Sequence, residues 1–206
     1  MKFEALTMLE RRIKRSIGIL LMVILCGCSS GVDPISIHDP SVPAQDRRII
    51  ADSQDRVAVA RAHRDDVSTQ LAQIERWRED IAPDGGWPEG TSSLVSSLHQ
   101  LVDARIHLVE LRRARADVEI ELAKAELELS TARVAVRNDM AVYDLESIMQ
   151  TVDEIREESG QIDRQIMVHM ENLDEVTQDW WDEYARFADQ GGDVTPFYAV
   201  FDRPRF

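Results

Sequence analysis

Apolar residues recur along this chain at seven-residue spacing in three blocks, and the spacing itself predicts the architecture. In the first block Ile50, Val57 and Leu71 form one row, interrupted by Arg64, while Ala60, Val67, Ile74 and Ile81 form a second row three places on. Two such rows make a continuous stripe on one face of a helix, the a/d seam of a coiled coil. In the second block Leu101, Leu108, Leu122, Leu129, Val136 and Tyr143 make one row, interrupted by Arg115, with Ala104, Leu111, Val118, Ala125 and Ala132 as its partner. The third block carries Leu145, Val152, Ile166, Leu173, Trp180 and Phe187 beside Ile148, Ile155, Ile162 and Val176. Its frame is displaced by two residues from the second. Two residues are about 200° around a helix, so the buried face switches sides near residues 138–144.

Punctuation sets the expected boundaries. Residues 45–82 contain neither Pro nor Gly, and between 91 and 190 the only one is Gly160. Pro and Gly cost a helix interior about 3 and 1 kcal/mol, so their absence favours long helices. The run Ala82-Pro83-Asp84-Gly85-Gly86-Trp87-Pro88-Glu89-Gly90 predicts a turn, with Thr91 or Ser92 supplying an N-cap hydroxyl to the next helix. A short turn between amphipathic helices predicts an antiparallel hairpin. The expected fold is all-α: elongated antiparallel helical hairpins in a coiled-coil-like three-helix arrangement. Its helices are expected near 46–81, 92–159 and 162–188, within a helical domain spanning 46–190. Gly160 then closes a central helix of about 100 Å, and the third helix folds back over 133–159. The competing possibility keeps the helix continuous through Ser159-Gly160, because the frame does not change there, and pairs it with a second chain.

The first residues read as an address rather than as structure. Arg11, Arg12, Lys14 and Arg15 precede a short apolar run over 17–25, which ends in Leu25-Cys26-Gly27-Cys28-Ser29-Ser30. The run is too short to span a hydrocarbon core, which needs about 20 apolar residues. This box resembles the lipobox of bacterial lipoproteins. The resemblance implies cleavage after residue 27 and a diacylglycerol on the Cys28 thiol. It also implies an outer-membrane destination, because Ser29 stands where an Asp would mark inner-membrane retention. Removal of segment 1–27 takes Cys26 with it, which leaves no free thiol for a disulfide or a metal. Residues 28–45 contain Gly31, Pro34, Pro40 and Pro43 and predict a flexible tether. The coiled part also loosely resembles small α-helical envelope lipoproteins. The wall-linked member of that kind ends in a linking Lys, whereas this sequence ends in Phe206 and its only Lys after Cys28 is Lys124. That linkage is not carried over.

Charge narrows the function. With 24 Lys and Arg against 38 Asp and Glu, the net charge is −14, which repels phosphate backbones and excludes nucleic acid as an expected partner. No nucleophile elbow, phosphate-binding loop or dinucleotide turn is present, so no enzyme and no cofactor is expected. His99, Asp103 and His107 share one helix stripe with the spacing of a divalent-ion site, but the heptad frame puts them on the outer face, where a solvated surface is expected and no metal. His169 falls on a seam position. Asp153, Glu154, Glu157 and Glu158 read as solvated helix surface.

Aromatic residues are the remaining candidates. Trp180 continues the seam, and Trp181 and Tyr184 stand beside it. Trp87 lies in the turn, and the tail 191–206 brings Phe197, Tyr198 and Phe201. The tail either packs back on the helices or binds a partner. Trp87, Phe197, Tyr198 and Phe201 are the expected partner contacts. The expected function is that of a membrane-anchored structural or protein-interaction module, held through the lipid on Cys28, with an envelope protein or a second copy as partner. An accessory role in an envelope export or assembly machine, docking through the hairpin tip, is the alternative.

Overall fold

The computed structural model describes residues 35–36, 38–81, 87 and 90–197. Cys28 and its lipobox, most of the 82–90 turn, Tyr198 and Phe201 lie outside the described residues. Three long helices make up the fold: α1 (Ala44–Asp80), α2 (Ser92–Arg137) and α3 (Leu145–Asp189), followed by a short 3-10 helix at Thr195–Phe197. The all-α expectation holds, and the three helices pack together with α2 between α1 and α3.

The first seam is buried as its spacing predicts. Ile50, Val57, Ala60, Val67, Leu71, Ile74 and Ile81 all turn inward from α1. Pro43 stands at the N-cap of α1, where its missing N–H costs nothing. Asp46, in the first turn, is buried and accepts from Arg137 (2.7 Å) and from Asn138 Nδ2 (2.9 Å), tying the start of α1 to the end of α2. At the other turn Thr91 occupies the N-cap position of α2 but caps no backbone N–H; its side chain is buried instead.

The central helix is shorter than expected. It stops at Arg137 after 46 residues, about 69 Å, rather than running on to Ser159. The chain turns at 138–144, where the apolar frame slips by two residues. A slip of that size is what an intervening loop leaves, since its length need not match the heptad. Asp139 adopts φ 53°, and Met140 N–H donates to Ala135 C=O while Asp139 N–H donates to Val136 C=O. This is the left-handed helix ending usually made by Gly, and Asp is one of the few other residues that tolerates it. Asp144 then caps α3 by accepting from the Ser147 N–H at 3.1 Å.

Gly160 accordingly lies inside α3 and closes nothing. α3 returns along the length of α2, and a series of contacts marks the path: Arg133 to Met149, Glu126 to Arg156, Arg115 to Asp163, His107 to His169 and Ser93 to Glu183. A side chain on Gly160 would meet only the Arg164 guanidinium, at an ordinary 3.7 Å. Gly160→Ala is therefore expected to stabilise the protein by about 1 kcal/mol, the helix-propensity difference. Thermal melts should show a rise of about 2–4 °C; a fall would put a non-helical backbone at this position.

Every close helix–helix approach, with Cα atoms within 8 Å, involves α2; α1 and α3 make none with each other. α2 therefore needs two buried faces. Ala123, with Ile120 and Leu127, packs on Val57 and Ala60 of α1. Ala125 and Leu129, with Leu122, pack on Val152 and its neighbours in α3. Glu126 lies between the two, 3.5 Å from Arg56 of α1 and 2.9 Å from Arg156 of α3.

Candidate functional site

The richest assembly of side chains caps the end where α1 finishes, α2 begins and α3 finishes. Trp77 comes from α1 and Ile81 directly follows it, Leu94, Val95 and Leu98 come from α2, and Trp180 with Phe187 from α3. Arg105 of α2 lies over the Trp77 ring, 5.4 Å from its centroid. Gly191 makes the cap possible. With φ +82° it closes α3, and Gly192 N–H donates to Phe187 C=O while Gly191 N–H donates to Ala188 C=O. A side chain on Gly192 would run into the Phe187 ring, so the chain passes tightly against that residue. The Thr195 side chain, and then the Thr195 N–H that donates to Asp193 at 2.9 Å, hold the Asp193 carboxyl below the usual range.

The turn delivers Phe197 into the cap, where it is fully buried. Its ring stacks on Trp87 with centroids 5.0 Å apart and 15° between planes, and meets Phe187 edge-on at 6.4 Å. Two of the four expected partner contacts are thus brought together. Phe197 fills the core, so at this residue the tail follows the first of its two expected courses and packs back onto the helices. Trp87 is half-buried, with a buried indole N–H that has no hydrogen-bond partner among the described residues. Trp180 is buried as the seam predicts, while Trp181 keeps 41% of its surface in solvent. Trp180, Trp181 and Tyr184 form a mutual aromatic group with centroids 5.1–5.7 Å apart.

The polar candidates do not converge. Asp103 turns to α1 and pairs with Arg78 at 3.0 Å. His107 turns to α3, where its ring meets His169 edge-on at 4.3 Å, and its Nδ1 lies 3.4 Å from Glu110. Burial, and then the neighbouring His107, hold the His169 imidazole below its usual pKa. His99 is half-buried, and its buried Nε2 has no partner among the described residues. Asp103 and His107 are exposed as the outer-face placement expects, and only His99 departs from it, because α2 packs on two sides and a residue facing away from one neighbour can face the other. Among the described residues, no three or more His, Cys, Asp or Glu side chains gather as metal ligands do. Asp153 pairs with Arg156, and Glu154 accepts from Gln150.

One element was missed in the sequence. Val95, Val102, Val109, Ala116 and Ala123 form a second seven-spaced row in α2, and all are buried. The row was visible by spacing and signals a helix with two neighbours.

No helix among the described residues is long and apolar enough to cross a membrane. Comparison of the chain with known protein families, with curated proteins and with solved structures gives no match.

Proposed function

We propose that the chain is a bacterial envelope lipoprotein, anchored through a lipid on Cys28, whose three-helix body serves as a structural or protein-interaction module. The observation that carries the anchoring is the Leu25-Cys26-Gly27-Cys28 box behind a basic, then apolar, leader. Ser29 after the lipidated residue makes the outer membrane the destination in a cell with two membranes. The body supports the second half of the proposal. Its cross-helix ion pairs, Arg78 to Asp103, Arg64 to Asp117, Arg115 to Asp163 and Arg137 to Asp46, brace the helices instead of assembling a cleft. Within the body, the aromatic cap lies at the C-terminal end of α1, a helix of 37 residues or about 56 Å.

Metabolic labelling with radioactive palmitate tests the anchor. The wild-type chain is expected to take up label and to sediment with membranes, whereas Cys28→Ser is expected to lose the label and accumulate as uncleaved precursor. Label retained in the Cys28→Ser chain would place the lipid elsewhere and remove the basis for this proposal.

Docking as an accessory subunit of an export or assembly machine is the second reading. It is favoured by the placement of half-buried Trp87 and partly exposed Trp181 at the end remote from the start of α1.

A further inference from the structure

The negative charge of this protein is not spread over its helices. α1 carries 8 acidic and 7 basic residues, and α2 carries 7 of each. α3 carries 13 acidic residues and only 3 basic ones, and so accounts for most of the net −14. Some α3 carboxylates have internal partners: Asp163 pairs with Arg115, Asp153 with Arg156 and Glu183 with Arg186. Glu157, Glu158, Glu171, Asp174, Glu175 and Asp179 have no ion-pair partner among the described residues. Carboxylates four apart, such as Glu171 and Glu175 or Glu175 and Asp179, repel and work against the helix that holds them. Nothing in the packing of α3 on α2 requires this excess.

An apolar patch lies within the acidic surface. Met167 is 64% exposed, Val168 63% and Met170 46%, within one turn of one another. Methionine is flexible and polarisable, and it adapts to apolar surfaces of varied shape. An apolar centre with an acidic surround is complementary to one kind of partner, a helix with an apolar stripe and a basic face. A second copy of the chain would bring the same negative excess to the contact, and an anionic lipid surface would be repelled.

We propose that the outward face of α3 around Met167, Val168 and Met170 docks a cationic amphipathic helix of a partner protein. The proposal rests on the reading of this chain as an interaction module and names the chemistry of its partner.

The test uses the full-length lipoprotein in nanodiscs of zwitterionic phosphatidylcholine, with empty nanodiscs subtracting lipid binding, and measures affinity by surface plasmon resonance. The probe is a helical Leu–Lys peptide of about five turns; a Ser–Lys peptide of equal charge is its control. The Leu–Lys peptide is expected to bind more tightly than the control, and more weakly as salt rises. Met167→Gln with Met170→Gln is expected to weaken it about tenfold, the scale of losing apolar anchors. Glu171→Gln with Glu175→Gln is expected to weaken it several-fold and flatten the salt dependence. All four side chains are exposed, and circular dichroism checks that helix content is kept. Equal affinity for the two peptides, or an affinity indifferent to the methionine changes, overturns the proposal. So does a concentration-dependent dimer that the methionine changes abolish, since the occupant is then a second copy. Failure here leaves the lipid anchor standing, because palmitate labelling tests that separately.

Discussion

Phe197→Ala is expected to lower stability by about 3–5 kcal/mol, the range for deleting a buried aromatic ring. For a chain of this size the melting temperature should fall by roughly 6–20 °C. The ring is fully buried between Trp87 and Phe187, so its removal opens a cavity that neighbouring side chains only partly fill. Trp87 should report the loss directly, because its indole is stacked on the missing ring and its emission should shift to the red on exposure to water. Phe197→Leu, which retains much of the apolar volume, should cost less. If Phe197 were instead a surface residue awaiting a partner, Phe197→Ala would leave the isolated protein's melt unchanged. Calorimetry with tryptophan emission separates the two outcomes.

Asp46→Ala is expected to cost about 1–3 kcal/mol, from loss of two hydrogen bonds to a buried carboxylate in the first turn of α1. The two ends of the interaction are unequal. The Asp46 side chain is 5% exposed and the Arg137 side chain 60% exposed, so Arg137→Ala should cost less, below about 1 kcal/mol. Asn138 Nδ2 keeps its bond to Val134 C=O at 2.8 Å in either variant. Urea unfolding of Asp46→Ala and Arg137→Ala, compared at equal slope, measures the difference. Equal costs would mean that the carboxylate's burial contributes nothing beyond the surface ion pair.

Much of the core was legible before any coordinates. The α1 rows, Ile50 through Leu71 and Ala60 through Ile81, are buried as their spacing demands, and Val152 and Trp180 hold the corresponding place in α3. A seven-residue repeat reports that a face is covered without reporting what covers it. For α2 that ambiguity mattered. The Leu101 to Leu129 seam accounts for one neighbour, and only the Val95 to Ala123 row, at the same spacing, signals the second.

The end of α2 was misplaced for a related reason. Gly160 looked like the stop, yet one glycine costs a helix only about 1 kcal/mol. Ser159 beside it is buried, and Ile155 packs beside Val152, so helix through this point lets α3 keep its face on α2. The actual turn carries neither Gly nor Pro. It depends on Asp139 in a left-handed conformation and on Asp144 as the cap, two residues whose roles are set only once the chain reverses there.

The sequence by itself determined the helical class, the inward faces of α1 and α3, one of the two of α2 and the N-terminal lipobox pattern, since each depends on residues close together in the chain. Tertiary structure alone decided the rest. It set the stop at Arg137, the meeting of His107 with His169, the burial of Phe197 against Trp87, and the contrast between braced α1 and α2 and the unpaired acids of α3. The contacts behind these features join residues from 25 positions apart, as in Arg78 with Asp103, to 110, as in Trp87 with Phe197, and local propensity and periodicity do not encode them.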